Sequence, residues 1–591
     1  MSRNYRKKRK PGNNIAQNEE TMTLKEISDT YGIPTSMIRR CFPAPQTRYY
    51  MDKNGNRRST QVWSMRKIEK ALHYQAITQY LEKKKQEEEE NILIDEISLL
   101  YEQYSPDMYI EKAKKLKRTF IFHVGPTNSG KTYDAIEDMK KNTPGTYLGP
   151  LRLLALEMYD KMNASGVPCS MITGEESLIT EGAEVVSSTI ELCDFRKHYK
   201  TAVIDEAQLI ADPFRGSAWL KAICLVDADI VHICMAPEAL SYIKKLVASF
   251  DSPSYTVNHE RLSPLYFGGE IKGYEDLRPG DALICFSRKS VLSTTALLEK
   301  NGFKASVIYG ALPPEARRNE VRKFLNRDTN MVVATDAIGM GISLPIKRVI
   351  FTEIEKYDGR QFRTLTTSEV NQIGGRAGRY GLNEYGEVLS MSDAPLIDAK
   401  LGRTVKSIQA SCIAFPREVL DTSYPLPLLL KAWQKARRND GFVRENVQEA
   451  EFLLRSLKNV KGLEENRNLV YDLITCPVDT KSNELVGYFV KCAKAIMEDR
   501  MVPLPSFGTE TLKDCELEYK AYDIRHQLLR RIGIPDDSMK RRRAICDRIS
   551  ELMLENKEEY ILHCRICGKE LPIGSMFNYC EECYFGDSES Y

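Results

Sequence analysis

Residues Gly125, Pro126, Thr127, Asn128, Ser129, Gly130, Lys131 and Thr132 follow directly on the β-branched and aromatic run Thr-Phe-Ile-Phe-His-Val at 119–124. They precede a helical pattern over 133–139. A G-x-x-x-x-G-K-[ST] loop between a strand and a helix leaves few folds open to a chain. The glycines let backbone N–H groups wrap a phosphate, Lys131 reaches the outer phosphates, Thr132 offers a hydroxyl to magnesium, and the helix dipole points its positive end at the anion.

The surrounding pattern agrees with a parallel sheet. Short apolar β-type runs alternate with helical stretches at 119–124, 146–148, 184–187, 202–204 and 230–235. A second series follows at 282–286, 305–309, 331–334, 348–351 and 387–391. Alternation of this kind predicts two successive α/β sheets with a working cleft between them.

Two further motifs complete the loop. Val-Ile-Asp-Glu-Ala-Gln at 203–208 ends a buried strand on acids: Asp205 is suited to magnesium and Glu206 to orienting or deprotonating a water. Gln372, Arg376 and Arg379 lie in the glycine-rich run 372–381. Two arginines three apart share a face and can reach a γ-phosphate, a contribution worth roughly 10³–10⁵ in rate in nucleotide hydrolases.

Taken together, residues 119–390 resemble a superfamily-two helicase of the DExH type, and most nearly the suppressor-of-Var-three RNA helicases of the mitochondrial degradosome and their bacterial relatives. The resemblance is carried by GPTNSGKT at 125–132, GPLRLLALE at 149–157, GVPCSMITGEE at 166–176, SSTIE at 187–191, VIDEAQLIADPFRGSAW at 203–219, VVATDAIGMGISLPIKRVIF at 332–351 and QIGGRAGRYG at 372–381. It implies two tandem RecA-like domains that unwind RNA at the expense of ATP, often 3′ to 5′. Gln208 and Gly341 then join the nucleotide site. Pro150, Arg152, Thr173, Gly174, Ser188, Thr189 and Thr335 touch the nucleic-acid backbone, and residues 336–343 couple the second domain to nucleotide and strand. Two alternatives share the core: an ATPase that remodels RNA–protein complexes without processive unwinding, and a DNA helicase.

At 591 residues the chain is long enough for three to five domains. The expected boundaries are a disordered basic tail (1–20), a helix-turn-helix or winged-helix-like module (21–75), a helical linker (76–118), the two RecA-like domains (119–262 and 263–395), a helical C-terminal region (396–556) and a zinc-binding tail (557–591). The formal charge is +3, and six basic residues fall within the first ten; without them 79 basic residues face 82 acidic ones. Nucleic-acid contact therefore has to come from a groove and the tail rather than a global field. No apolar run has the length of a membrane span. A polybasic start rather than an amphipathic, Arg- and Ser-rich transit segment favours a cytoplasmic protein, bacterial or phage-related, over a mitochondrial one.

In the N-terminal module, apolar positions at 24, 27, 31 and 33, Gly32 at a turn and a second helix opening near Pro34 read as a helix-turn-helix, followed by a hairpin around Asn54-Gly55. It serves either nucleic acid, DNA included, or a protein partner. The C-terminal region predicts long amphipathic helices over 419–438 and 519–556. Cys564, Cys567, Cys580 and Cys583 form two C-x-x-C pairs twelve residues apart, the spacing of a structural zinc ribbon or knuckle. With Lys569 one of few nearby cations, that tail leans toward a protein partner.

Overall fold

A computed structural model describes residues 20–591, apart from 105, 340–343, 359–360, 379–382, 437–439, 554, 556, 576–577 and 586–591. The chain divides into two compact units after Leu99. The basic tail expected over 1–20 lies almost wholly outside the described residues.

In the first unit, helix Leu24–Tyr31 opens on a capping box between Thr23 and Glu26 and stops at Gly32, whose φ of 63° a side chain would strain. A second helix, Thr35–Cys41, follows. Strands Thr21–Thr23, Arg57–Ser64 and Gln46–Met51 form an antiparallel sheet in that order. Ile27, Ile33, Ile38, Phe42, Trp63 and Ile68 close one small core, and the indole N–H of Trp63 donates to the Pro43 carbonyl at 2.7 Å. The charge run at 82–90 lies on helix Gln75–Gln103, where Lys83, Lys84 and Lys85 each pair with the glutamate four residues on. These exposed pairs contribute only about 0.3–0.5 kcal/mol each.

The second unit holds two RecA-like sheets. The first has eight strands, ordered Ser254–Asn258, Thr119–Val124, Asp227–Met235, His198–Ile204, Gly145–Gly149, Val185–Thr189, Cys169–Ile172 and Ser177–Leu178; all pairings but the last are parallel. The second is fully parallel: Leu265–Glu270, Gly386–Ser390, Arg348–Phe351, Asp281–Ile284, Met331–Ala334 and Ala305–Ile308. Their central strands are buried along their length, as two-sided sheets require. Every β run predicted from the sequence is a strand, shifted by a few residues at its ends.

The helices expected over 419–438 and 519–556 are each broken. The first becomes a 3₁₀ turn, Arg417–Asp421, and a helix, Leu426–Lys435, opening after Pro425. The second splits into Leu512–Arg531 and Met539–Leu552, separated by Gly533 at φ 74° and Pro535. Proline and a left-handed glycine override an amphipathic period that continues through them.

Helix Leu512–Arg531 touches both sheet domains. Glu516 pairs with Arg288 and accepts from Tyr309 on the second, while Gln527 and Arg530 donate to the Gly174 and Thr173 carbonyls on the first. The cysteine-rich tail docks on helix Arg288–Lys300: Lys289 reaches Asn578 at 2.8 Å, Lys300 pairs with Glu570 at 2.6 Å, and the Leu562 N–H donates to Ser293. Among the described residues no helix is long and apolar enough to cross a membrane.

Candidate active site

The phosphate loop leaves strand Thr119–Val124 and enters helix Lys131–Lys141 through Asn128 and Gly130, at φ 64° and 81°. Left-handed geometry turns the chain sharply enough for successive N–H groups to face one concavity. Lys131 is buried, its ammonium held by the Pro126 carbonyl at 3.1 Å.

Opposite lies Asp205, at the end of strand His198–Ile204. Its Oδ1 accepts from the Thr132 hydroxyl at 3.1 Å and from the Glu206 N–H at 2.9 Å; its Oδ2 accepts from Tyr147 at 2.9 Å. Burial, then the neighbouring Glu206, pushes the Asp205 carboxyl up to about 6, against the pull of Lys131. Hard oxygens from a hydroxyl and a carboxylate suit a divalent magnesium ion. Glu206 sits at φ 49° and accepts from Gln208, whose own carbonyl takes the Ala236 N–H at 3.1 Å.

The second sheet brings Arg376 to this cluster. Its guanidinium donates to the Gly339 carbonyl. Burial lowers its pKa while the charges of Glu206, Glu157 and Asp205 act the other way, so an arginine from one domain feels the acids of the other. Gln372, one turn earlier on helix Thr367–Gly374, lies against Gly339. Arg379 and Gly341 fall outside the described residues, as do 340–343 of the coupling segment.

Three groups that close this cleft escaped the sequence reading. Arg261, between the sheets, donates to Thr127, Gly375, Ala377 and Ser263 carbonyls and so ties the phosphate loop to the glycine-arginine turn. Tyr147 orients Asp205. Under the loop, His123 bonds His259 at 3.0 Å and His232 at 2.9 Å, and His232 bonds Asp138 at 2.9 Å. Histidine at 123 within an otherwise apolar strand was the one available signal; Arg261 gave none, because three of its four partners are more than a hundred residues away.

Pro150, Thr173, Ser188 and Thr335 are buried, with Gly174 and Thr189 half-buried, at the strand ends and loops of the two sheets. Arg152 pairs with Glu175, with Glu176 at 3.0 Å and with Glu315 of the second domain at 2.9 Å. Arg542 joins them through Glu175, beside a cavity of about 340 Å³ that Arg152, Glu176, Glu315, Arg318, Arg322 and Arg543 line. At the C-terminus the four cysteine sulfurs lie within 4.8 Å of one another, with Cys567 and Cys580 3.6 Å apart. A tetrahedron of thiolates about 2.3 Å from zinc has edges near ~3.8 Å, so the donor set fits that ion.

Family models match both halves: a DEXQ-box helicase domain of Suv3 over residues 106–259 and a helicase conserved C-terminal domain over 269–381. An Arabidopsis thaliana protein, the mitochondrial DExH-box ATP-dependent RNA helicase DExH16, is 33% identical over 483 residues, covering 76% of this chain and 83% of its own length. The chain belongs to the Suv3 helicase family. The zebrafish (Danio rerio) mitochondrial ATP-dependent RNA helicase SUPV3L1 is 34% identical over 428 residues, 69% of this chain and 56% of that protein. Candida albicans mitochondrial SUV3 is 40% identical over 320 residues, 52% and 44% respectively. The chain thus spans about half the length of these two Suv3 relatives. Their names, and those of the Arabidopsis and rice relatives, are mitochondrial, which overturns the expected cytoplasmic, bacterial or phage-related location. That expectation rested on the composition of a few N-terminal residues, which is a weaker guide than hundreds of matched positions.

Proposed function

We propose that this Suv3-family chain is an ATP-dependent RNA helicase that couples hydrolysis to stepping along one strand of an RNA duplex. The observation that carries the reading is the pairing of Thr132 with Asp205 at 3.1 Å beneath a loop to which the second sheet brings Arg376. In this reading the loop N–H groups and Lys131 hold the phosphates, and Thr132 and Asp205 hold magnesium, which supplies charge neutralisation at the β- and γ-phosphates when bound. Glu206 accepts a proton from the attacking water, with Gln208 holding its carboxylate. Gln372, Arg376 and Arg379 complete the site from the second domain and sense the γ-phosphate.

RNA backbone is assigned to Pro150, Thr173, Gly174, Ser188, Thr189 and Thr335, of which Thr173 and Gly174 meet the covering helix Leu512–Arg531. A phosphate that reaches Arg152 must displace the carboxylates of Glu175, Glu176 and Glu315, which makes this junction responsive to the strand. The domain boundaries given above are part of the same proposal. Cys564, Cys567, Cys580 and Cys583 are assigned one structural zinc; it stabilises a tail that has little apolar core of its own.

The test is Glu206→Gln: hydrolysis should fall by at least about 10² while ATP and RNA binding persist. Unchanged turnover would contradict the assigned base.

A further inference from the structure

Within the first unit, the hairpin Gln46–Met51 and Arg57–Ser64 carries a surface that the nucleotide site does not use. Tyr49, Tyr50 and Met51 end one strand and are 60%, 48% and 66% exposed; Tyr49 and Met51 share one face of the hairpin and Tyr50 lies on the other. Opposite them in register are Ser59, Arg58 and Arg57. The Arg57 guanidinium lies 4.6 Å from the centre of the Tyr49 ring, and Arg58 pairs with Asp52 in the turn. Each face of the hairpin thus presents an exposed tyrosine, with Met51 beside Tyr49 on one of them.

Charge identifies the partner. Residues 46–64 contain Arg48, Lys53, Arg57 and Arg58 against the single acid Asp52. Residues 20–74 carry ten basic side chains and five acidic ones, and Arg39 and Arg40 are exposed on the second helix. By contrast, residues 75–591 carry 69 basic and 76 acidic. Positive charge is therefore concentrated on the unit that also exposes the tyrosines.

We infer that this hairpin is a holding site for single-stranded RNA, separate from the helicase cleft. The combination of arginine with exposed aromatic rings suits a strand whose bases are unstacked: rings take base faces, guanidinium groups take phosphates. A duplex keeps its base faces covered, so it would leave Tyr49 and Tyr50 without their contact. The choice of RNA over DNA rests on the proposed helicase function.

The experiment is fluorescence anisotropy of a labelled single-stranded RNA oligonucleotide and, in parallel, a labelled duplex DNA with the full chain, in the absence of ATP, across a salt series. Y49A/Y50A should weaken binding about tenfold, whereas Y49F/Y50F, which keeps the rings, should remain within about twofold. R48Q/R57Q/R58Q should reduce the slope of log affinity against log salt by about 2. RNA-free ATP hydrolysis should be unchanged in all three. Wild-type-like RNA binding by Y49A/Y50A, in a chain that still hydrolyses ATP in response to RNA, would overturn this inference alone. A loss confined to duplex DNA would overturn it in favour of a duplex reader. A wild-type chain that binds no RNA would overturn both this inference and the helicase reading beneath it.

Discussion

The Asn128 side-chain amide of the phosphate loop donates to the Gly378 carbonyl at 2.7 Å, joining positions 250 residues apart. Loop and glycine-arginine turn thus meet directly. Asn128→Ala should lower RNA-stimulated kcat by up to about tenfold, the scale of one hydrogen bond, with nucleotide affinity within about threefold. Steady-state kinetics beside fluorescent-nucleotide titration separate the two.

Arg261 holds the same cleft through four carbonyls. A lysine cannot reproduce a planar fork with donors in several directions. Arg261→Lys and Arg261→Ala should therefore impair hydrolysis alike, by at least about tenfold, while ATP binding to the loop persists. Full rescue by lysine would show that charge alone matters.

The buried pair His123 and His232 gives the fold a pH dependence. Burial, then the neighbouring His232 and His259, lowers His123 to about 4, and burial lowers His232 as well. Groups that gain protons more readily when unfolded stabilise the fold above the unfolded value of 6.5, and that contribution is lost as pH falls from there toward 4. For His123 alone the span corresponds to about 3 kcal/mol. Urea unfolding followed by tryptophan fluorescence should show a midpoint that drops between pH 7 and pH 5, and His123→Gln should flatten the slope.

The zinc assignment has a direct readout. Protein purified without chelator should contain one zinc per chain, and replacing Cys564 and Cys567 by Ser should release it. Because the tail rests on helix Arg288–Lys300 through Lys289 and Lys300, proteolysis near 560–585 should accelerate in that variant. Metal-free wild-type protein would remove the assignment.

The parts legible in the sequence were those whose chemistry is local. A strand, a glycine loop and a lysine at 131 are contiguous, and Asp205 and Glu206 end a recognisable apolar run. The breaks at Pro425 and at Gly533 to Pro535 were also written in the chain, but a continuing amphipathic period outweighed them in the reading. Arg261, Tyr147 and His259 were hidden for a different reason: each acts on a partner brought close only by folding. Arg152 shows the same limit, because nothing near residue 152 announces Glu315.

The most direct measurement is steady-state ATP hydrolysis by the purified chain with no nucleic acid, single-stranded RNA, single-stranded DNA, and RNA duplexes bearing a 3′ or a 5′ overhang, with strand displacement followed in parallel and Lys131→Ala as control. The expected result is stimulation by RNA, displacement from one overhang type, and loss of both in Lys131→Ala. Hydrolysis indifferent to RNA, or RNA stimulation with no displacement from either overhang, would contradict an RNA helicase.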